Sequence, residues 1–126
     1  MKTIINTSNA PAPIGPYSQA VLANGFLYVS GQIPINPITG ELTQSSVKEE
    51  TEQVMRNLNA VLLEAGFDFT HILKTTIFLS DMDLFGAVNE VYGSYFESDF
   101  PARETVAVKG LPKGVNVEIS VIAYKG

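Results

Sequence analysis

The sequence predicts a single α+β domain that spans residues 1–126. Two stretches of the chain carry apolar residues at helical spacing, and several short runs rich in β-branched and aromatic residues surround them. No internal repeat and no linker divides the 126 residues, a length typical of one domain. The predicted order of elements is ββ(β)αβαββ, in which the bracketed strand between the hairpin and the first helix is left undecided.

A tight hairpin is expected in the first third of the chain. Residues 18–23 and 26–30 are strand-like runs on either side of Asn24 and Gly25, a pair that accepts the positive φ angles of a type I′ turn. Residues 9–16 are rich in Pro and Gly, which indicates an ordered loop. The segment from Pro34 to Gly40 then interrupts regular structure.

Two helices are predicted from their end signals and their apolar spacing. Ser46 and Glu49 have the spacing of a capping box, and Gly66 is a suitable C-terminal cap. Asp81 or Asp83 can cap the second helix. Its apolar positions are Leu84, Phe85, Val88, Val91, Tyr92, Tyr95 and Phe96.

The remaining strands are expected at residues 72–79, 105–108 and 115–124, with a turn at residues 111–114 between the last two. The segments 26–29, 77–79 and 121–123 are apolar at successive positions, so both faces of the sheet would be apolar. Two helices can cover only one face. We therefore expect a second copy of the chain on the other face, which predicts a homo-oligomer.

Composition excludes several classes of function. The chain has no cysteine and one histidine, so it offers no disulfide framework, thiolate nucleophile or recognisable metal site. A net charge of −5 with scattered basic residues makes nucleic acid an unlikely partner. No apolar run reaches the length of a membrane span, and residues 1–8 lack the apolar stretch of a secretory signal, which favours the cytoplasm.

Arg103 and Glu118 are the candidate catalytic residues. Arg103 follows Pro101 and precedes a strand, so its position would be fixed well enough to bind a carboxylate in bidentate fashion. It could equally be a surface arginine paired with an acid. Glu118 lies among β-branched residues, where burial could raise its pKa and make it a base for water. The alternative is a carboxylate on a solvated face.

Four further residues are candidate ligand contacts. Tyr17 is presented by the rigid Gly-Pro pair before it, although it could also fill the edge of the core. Ser30 and Gly31 end a strand, where the missing side chain of Gly31 would let a ligand approach backbone amides; a simple turn is the alternative. Asn89 lies within the second helix, where an exposed amide needs no function.

Other catalytic arrangements are not supported. His71 is the only histidine and stands just before a strand, and no Gly-x-Ser-x-Gly motif accompanies any serine. Gly25, Gly31 and Gly40 match neither the dinucleotide nor the Walker spacing. A role for His71 at the edge of the strand is therefore favoured over catalysis.

These segments together resemble the reactive-intermediate deaminase family, also called RidA or YjgF. The motifs that carry the resemblance run in order along nearly the whole chain. They are Gly15-Pro-Tyr-Ser18, Val29-Ser-Gly-Gln32, Asn89-Glu-Val-Tyr92, Pro101-Ala-Arg103, Leu111-Pro112 and Val117-Glu-Ile119.

The resemblance implies a chorismate-mutase-like α+β fold with two helices on one face of a mixed sheet, assembled as a homotrimer with clefts between subunits. The implied reaction is hydrolysis of 2-imino acids or enamines to 2-keto acids and ammonia, without a cofactor or metal. Arg103 would hold the substrate carboxylate, and Glu118 would activate water. Tyr17, Ser30, Gly31 and Asn89 would line the cleft.

Thr105 stands where many deaminase-active members of the family have cysteine. It would still offer a hydroxyl and a backbone carbonyl to the substrate. The departure keeps open a second function, in which the same cleft senses a carboxylate metabolite without turnover. Ribonuclease activity or inhibition of translation is a third function, disfavoured by the net charge of −5.

Overall fold

A computed structural model describes residues 1–126 and confirms the α+β class. The elements in chain order are β1 (Thr3–Ile5), β2 (Ala20–Ala23), β3 (Phe26–Gln32), α1 (Val47–Glu64), β4 (Ile72–Leu79), α2 (Phe85–Gly93), β5 (Ala102–Ala107) and β6 (Val117–Tyr124). The bracketed strand expected between the hairpin and α1 is only an isolated bridge of Ile35 with Leu42. Strand β1, which forms the N-terminal edge of the sheet, was not predicted.

The six strands form one mixed sheet in the order β1-β2-β3-β6-β4-β5. Only β4 and β5 are parallel, because α2 connects them, and every other pair is antiparallel. One face of the sheet packs against the helices and forms the core. Its fully buried members include Leu27, Val54, Leu58, Ile77, Leu79, Val117 and Ile119.

The opposite face of the sheet, here called the open face, carries exposed apolar side chains. Phe26 stacks on Tyr124 with ring centroids 4.6 Å apart, and Tyr28 is 49% exposed beside them. Ile4 and Val106 are also exposed. This confirms the prediction that two helices leave one apolar face uncovered. That a second copy of the chain covers this face stays a prediction.

The ends of the first helix are as predicted, but those of the second are not. The Ser46 hydroxyl accepts a hydrogen bond from the amide of Glu49, and Gly66 has a φ of +82° after α1. Asp81 caps a single 3₁₀ turn, Met82–Leu84, before α2. The prediction that α2 reaches Phe96 was wrong: the helix ends at Gly93.

Several strand boundaries also differ from the prediction. Strand β2 begins at Ala20 rather than at residue 18, and β3 continues to Gln32, so Ser30 and Gly31 lie within the strand rather than at its end. Strand β5 begins at Ala102, immediately after Pro101, so Arg103 lies within the strand rather than before it. Strand β6 begins at Val117, because Lys113 and Gly114 have positive φ angles of 57° and 67° and form a separate turn. No helix in the structure has the length and apolar character needed to cross a bilayer.

Candidate active site

Arg103 lies on the helix side of the sheet, at the edge strand β5. Its register partner on β4 is Thr75, which is fully buried beneath α2. The Arg103 guanidinium donates from Nη1 to the side-chain oxygen of Asn89 at 2.6 Å. Asn89 therefore orients the arginine from α2, which joins two residues that the sequence singled out separately.

Two aromatic rings hold the Arg103 guanidinium. Its central carbon lies 5.4 Å from the ring centroid of Phe85 and 5.3 Å from that of Tyr92, distances at which a cation is attracted to a ring face. The Tyr92 hydroxyl donates to the Thr75 hydroxyl at 2.9 Å. Burial raises the pKa of Tyr92, so this phenol stays protonated and can keep donating.

Arg103 has no acidic partner. The ion pairs of the structure join Lys48 to Glu90 and Lys74 to Glu104, and the Nδ1 atom of His71 lies 3.3 Å from Asp68. The arginine borders a cleft of about 490 Å³ whose other lining residues are Asn89, Tyr92, Gly93, Phe100 and Pro101. An oriented guanidinium with free donors beside a cleft is suited to bind an anion such as a carboxylate.

Glu118 occupies a different cleft on the open face of the sheet. The cleft measures about 450 Å³, and its other lining residues are Ile14, Tyr17, Ser30, Gly31, Ile33 and Pro112. Glu118 is half-buried, and no basic side chain pairs with it. Burial alone raises the pKa of Glu118, which brings this carboxylate closer to the range of a general base.

Gly31 makes room for the Glu118 carboxylate. A Cβ atom at position 31 would lie 2.8 Å from Cδ of Glu118 and closer still to Oε2, which real Cβ contacts do not tolerate. From the sequence, Gly31 was expected to let a ligand approach backbone amides. The geometry gives a different reason for glycine at this position, namely the fit of a neighbouring acid.

Tyr17 and Ser30 are fixed by backbone contacts at the rim of the Glu118 cleft. The Tyr17 hydroxyl accepts a hydrogen bond from the amide of Ile14 at 3.2 Å, and the ring is 49% exposed. The Ser30 hydroxyl donates to the carbonyl of Ser18 at 2.6 Å. Ser30 thus offers acceptor lone pairs to the cleft, whereas the Tyr17 proton stays free for a ligand.

The two clefts do not meet within one chain. Glu118 pairs with Phe78 on β4, whereas Arg103 pairs with Thr75, three positions earlier on the same strand. Side chains alternate along a strand, so Arg103 and Glu118 lie on opposite faces of the sheet. They are also separated by two strand spacings and three residues, which corresponds to about 14 Å between their Cα atoms.

Thr105 shares the helix-side face with Arg103, because it pairs with buried Ile77. Its hydroxyl is buried without a hydrogen-bond partner, yet Thr105 lines neither cleft. His71 lies outside both clefts, and its ring nitrogen accepts from the amide of Asp68 at 3.0 Å. No group of three His, Cys, Asp or Glu side chains is arranged to hold a metal ion.

Two buried amides that support the Glu118 cleft were not identified from the sequence. Gln19 is 2% exposed; it accepts from the amide of Thr7 and donates to the carbonyls of Thr7, Ala10 and Pro11. Asn57 is 1% exposed and donates to the carbonyls of Ile33 and Ile35. The position of Asn57 within the apolar stripe of α1 was an available signal, whereas Gln19 gave none.

Comparison with known proteins places this geometry in a family. The sequence profile of the family described as endoribonuclease L-PSP matches residues 7–125. The human 2-iminobutanoate/2-iminopropanoate deaminase is 46% identical over 126 residues, which cover 100% of this chain and 92% of that relative. The putative regulator AldR of Lactococcus lactis is 52% identical over 120 residues, 95% of each chain.

Among solved structures, the crystal structure of E. coli TdcF with bound serine is similar over the whole fold. The TM-score is 0.94 at 38% identity, and the match covers 98% of this chain and 99% of that one. The agreement of sequence motifs, fold and relatives over the full chain shows that this protein belongs to the endoribonuclease L-PSP family, also known as the RidA or YjgF family.

Proposed function

We propose that this protein is an imine deaminase that hydrolyses small 2-imino acids and their enamine tautomers, such as 2-iminobutanoate and 2-iminopropanoate, to 2-keto acids and ammonia. The observation that carries the proposal is the state of Arg103. Its guanidinium is oriented by Asn89 and by two aromatic rings, and it has no acidic partner. The human relative named as a deaminase of such substrates supports the same conclusion.

In the proposed reaction, Arg103 binds the substrate carboxylate through two charge-assisted hydrogen bonds, which together fix the imine carbon. The substrate reacts as its protonated iminium form. Glu118 accepts a proton from water as the water oxygen bonds to the imine carbon and the π electrons of the C=N bond move to nitrogen, which gives a tetrahedral adduct with hydroxyl and amino groups. Glu118 then passes that proton to the amino nitrogen, the carbon–nitrogen bond breaks and ammonia leaves, while the hydroxyl proton returns to Glu118 and then to ammonia as the keto group forms.

A catalytic pair of Arg103 and Glu118 requires two copies of the chain. One copy would supply the cleft of Arg103 and Asn89, with Thr105 on the same face of β5, and its neighbour would supply the cleft of Glu118, Tyr17, Ser30 and Gly31. The two groups lie on opposite faces within a chain, and the open face carries exposed Phe26, Tyr28 and Tyr124. Both observations support an assembly with clefts between its subunits, and a homotrimer is the form that the family resemblance implies.

The test generates 2-iminobutanoate and 2-iminopropanoate in situ and follows keto-acid formation with and without the protein, in the presence of EDTA. Arg103→Ala is expected to weaken keto-acid binding roughly 10- to 100-fold, because charge-assisted bonds of about 1.5–3 kcal/mol are lost. The keto-acid affinity of Arg103→Lys should lie between those of the wild type and Arg103→Ala, since lysine keeps the charge but lacks the planar guanidinium. Glu118→Gln should lower turnover far more than keto-acid affinity.

Matched controls are Arg56→Ala and Glu64→Gln, both on the exposed surface of α1. Normal hydrolysis and keto-acid binding by folded, assembled Arg103→Ala would contradict the carboxylate-binding role. Loss of activity in EDTA, restored by a divalent ion, would contradict a metal-free mechanism.

A second candidate function is favoured by the Lactococcus relative named as a putative regulator. In that case the same cleft would bind a carboxylate metabolite without turnover, and Thr105 in place of the frequent family cysteine is compatible with it. The hydrolysis assay separates the two functions, because a sensor binds 2-keto acids and leaves the imine at its uncatalysed rate.

Ribonuclease activity is the weakest candidate despite the family description. The net charge is −5, and the single histidine lies outside both clefts. Filter binding of RNA at low and physiological salt should detect no salt-dependent complex. We place the proposed deaminase reaction in the cytoplasm, where amino-acid metabolism would supply the imines.

A further inference from the structure

Glu50 is a buried carboxylate that the proposed mechanism does not use. It lies in the first turns of α1 and is 2% exposed, and no basic side chain pairs with it. Its Oε1 accepts from the backbone amide of Asn116 at 3.0 Å, and its Oε2 accepts from the side-chain amide of Asn116 at 2.7 Å. Both carboxylate oxygens are thus bound to one residue.

Asn116 is a junction between three elements. Besides its bonds to α1, its backbone oxygen accepts from the amide of Ser80 at 3.0 Å, and its side-chain oxygen accepts from the Ser80 hydroxyl at 2.7 Å. Ser80 directly follows β4, and Asn116 directly precedes β6. Glu50 therefore fixes the point where β6 begins relative to α1 and β4.

Asn116 lies in the sequence between two residues that line the Glu118 cleft. Glu118 follows Asn116 by two residues, and Pro112, which lines that cleft, precedes it by four. The turn between them contains Lys113 at φ 57° and Gly114 at φ 67°. A non-glycine residue with positive φ persists only where its surroundings hold it, so this turn needs an anchor nearby.

We propose that Glu50 is a positioning residue for the deaminase reaction, which sets the position of Glu118 and of the Pro112 turn through its paired hydrogen bonds to Asn116. The inference rests on the proposed function, because it assigns Glu50 to the water-activating half of that site. Glu50 touches neither cleft, so it acts only through the residues it holds.

The first test uses Glu50→Gln, with Glu49→Gln as the control at an exposed position of the same turn. The amide of Gln presents one acceptor oxygen and one NH2 group that only donates, so its oxygen replaces just one of the two carboxylate oxygens that accept from Asn116. We expect kcat to fall at least about tenfold, because small misplacements of catalytic groups are costly. The Kd for a 2-keto acid should stay within about twofold, since the Arg103 cleft is unchanged.

The second test places Glu50→Gln in a Glu118→Gln background, where it should lower kcat less than about twofold because its effect passes through Glu118. Backbone hydrogen exchange gives a readout that needs no activity. The amides of Glu118 and Ile119 should exchange at least about tenfold faster in Glu50→Gln, while that of Leu27 stays unchanged. If Glu50→Gln does not fold, Asn116→Ala, which keeps the backbone bond, takes its place.

If Glu50→Gln changes neither the exchange of the Glu118 amide nor kcat, the inference is overturned. It is also overturned if Glu50→Gln lowers kcat by the same factor in the wild-type and Glu118→Gln backgrounds. If the wild-type chain fails to hydrolyse imines, the proposed function is wrong. In that case the exchange experiment alone decides whether Glu50 positions Glu118.

Discussion

At the scale of single residues, the candidate site depends on groups that are placed by their neighbours. Asn89 and two rings orient Arg103, and Gly31 leaves the space that the Glu118 carboxylate occupies. Arg103 and Glu118 were singled out in the sequence by their chemistry and their motifs, and their catalytic roles stay predictions. The contact of Phe85 with Arg103 was not predictable, because an apolar ring in a helix has no signature until the fold brings it to a charged group.

The fit between Gly31 and Glu118 gives a sharp prediction. Gly31→Ala would place its Cβ against the Glu118 carboxylate, which is the far end of a flexible side chain and can move away. The fold should therefore tolerate the change, while turnover falls about tenfold or more as Glu118 is displaced. Gly110→Ala is the matched control, because its Cβ would meet open space. Equal kinetics for the two variants would refute this role of Gly31.

The pH dependence of turnover follows from the environment of Glu118. A base must be ionised to accept the proton of water, and burial raises the pKa of Glu118 above its ordinary 4.5. Turnover should thus be lost as pH falls through this raised pKa, so the acidic limb of kcat lies above pH 4.5. Glu118→Gln should abolish the limb, whereas Glu64→Gln should leave it in place. A limb that persists in Glu118→Gln would assign the ionisation elsewhere.

At the scale of elements, the sequence predicted most of the structure, and the misses have physical causes. The hairpin and α1 were predictable because their turn and cap residues carry local signals. Strand β1 is three residues long and is stabilised by pairing with β2, which no local pattern records. The helix α2 ends early although apolar residues continue, because Tyr95 and Phe96 pack against Phe69 outside the helix.

The side chain of Gln19, just before strand β2, forms hydrogen bonds to the preceding loop. Removal of this side chain tests how far the loop depends on it. Gln19→Ala deletes four hydrogen bonds and leaves a cavity at a side chain that is 2% exposed. We expect the free energy of unfolding to fall by about 2–4 kcal/mol, because buried partners lose their bonds. Urea denaturation measures the change, with Gln44→Ala at an exposed position outside helices and strands as the control. A loss below about 0.5 kcal/mol would show that the loop does not depend on Gln19.

At the scale of the whole molecule, the open face and the separated clefts both lead to the prediction that several copies of the chain assemble. Apolar strands on two faces were visible in the sequence, and the structure has the exposed face that they predicted. The position of the two clefts was not predictable, because the face on which a side chain lies depends on register, and β5 begins earlier than the sequence indicated.

The oligomeric state is accordingly a direct prediction. Light scattering at micromolar concentration should give a mass three times that of the 13.6 kDa chain. Tyr28→Lys, which puts a charge on the open face, should shift the mass toward one chain while the helical signal in circular dichroism is kept. A wild-type monomer at this concentration would contradict the assembly.

The central claim is that Arg103 of one copy and Glu118 of another act on one imine. Co-expression of Arg103→Ala and Glu118→Gln chains in equal amounts, with native mass spectrometry to verify mixing, tests it most directly. Random trimers should place an intact pair at about a quarter of the sites, so about a quarter of wild-type activity should return, although each variant alone is nearly inactive. Mixed trimers no more active than the separate variants would contradict a site shared between copies.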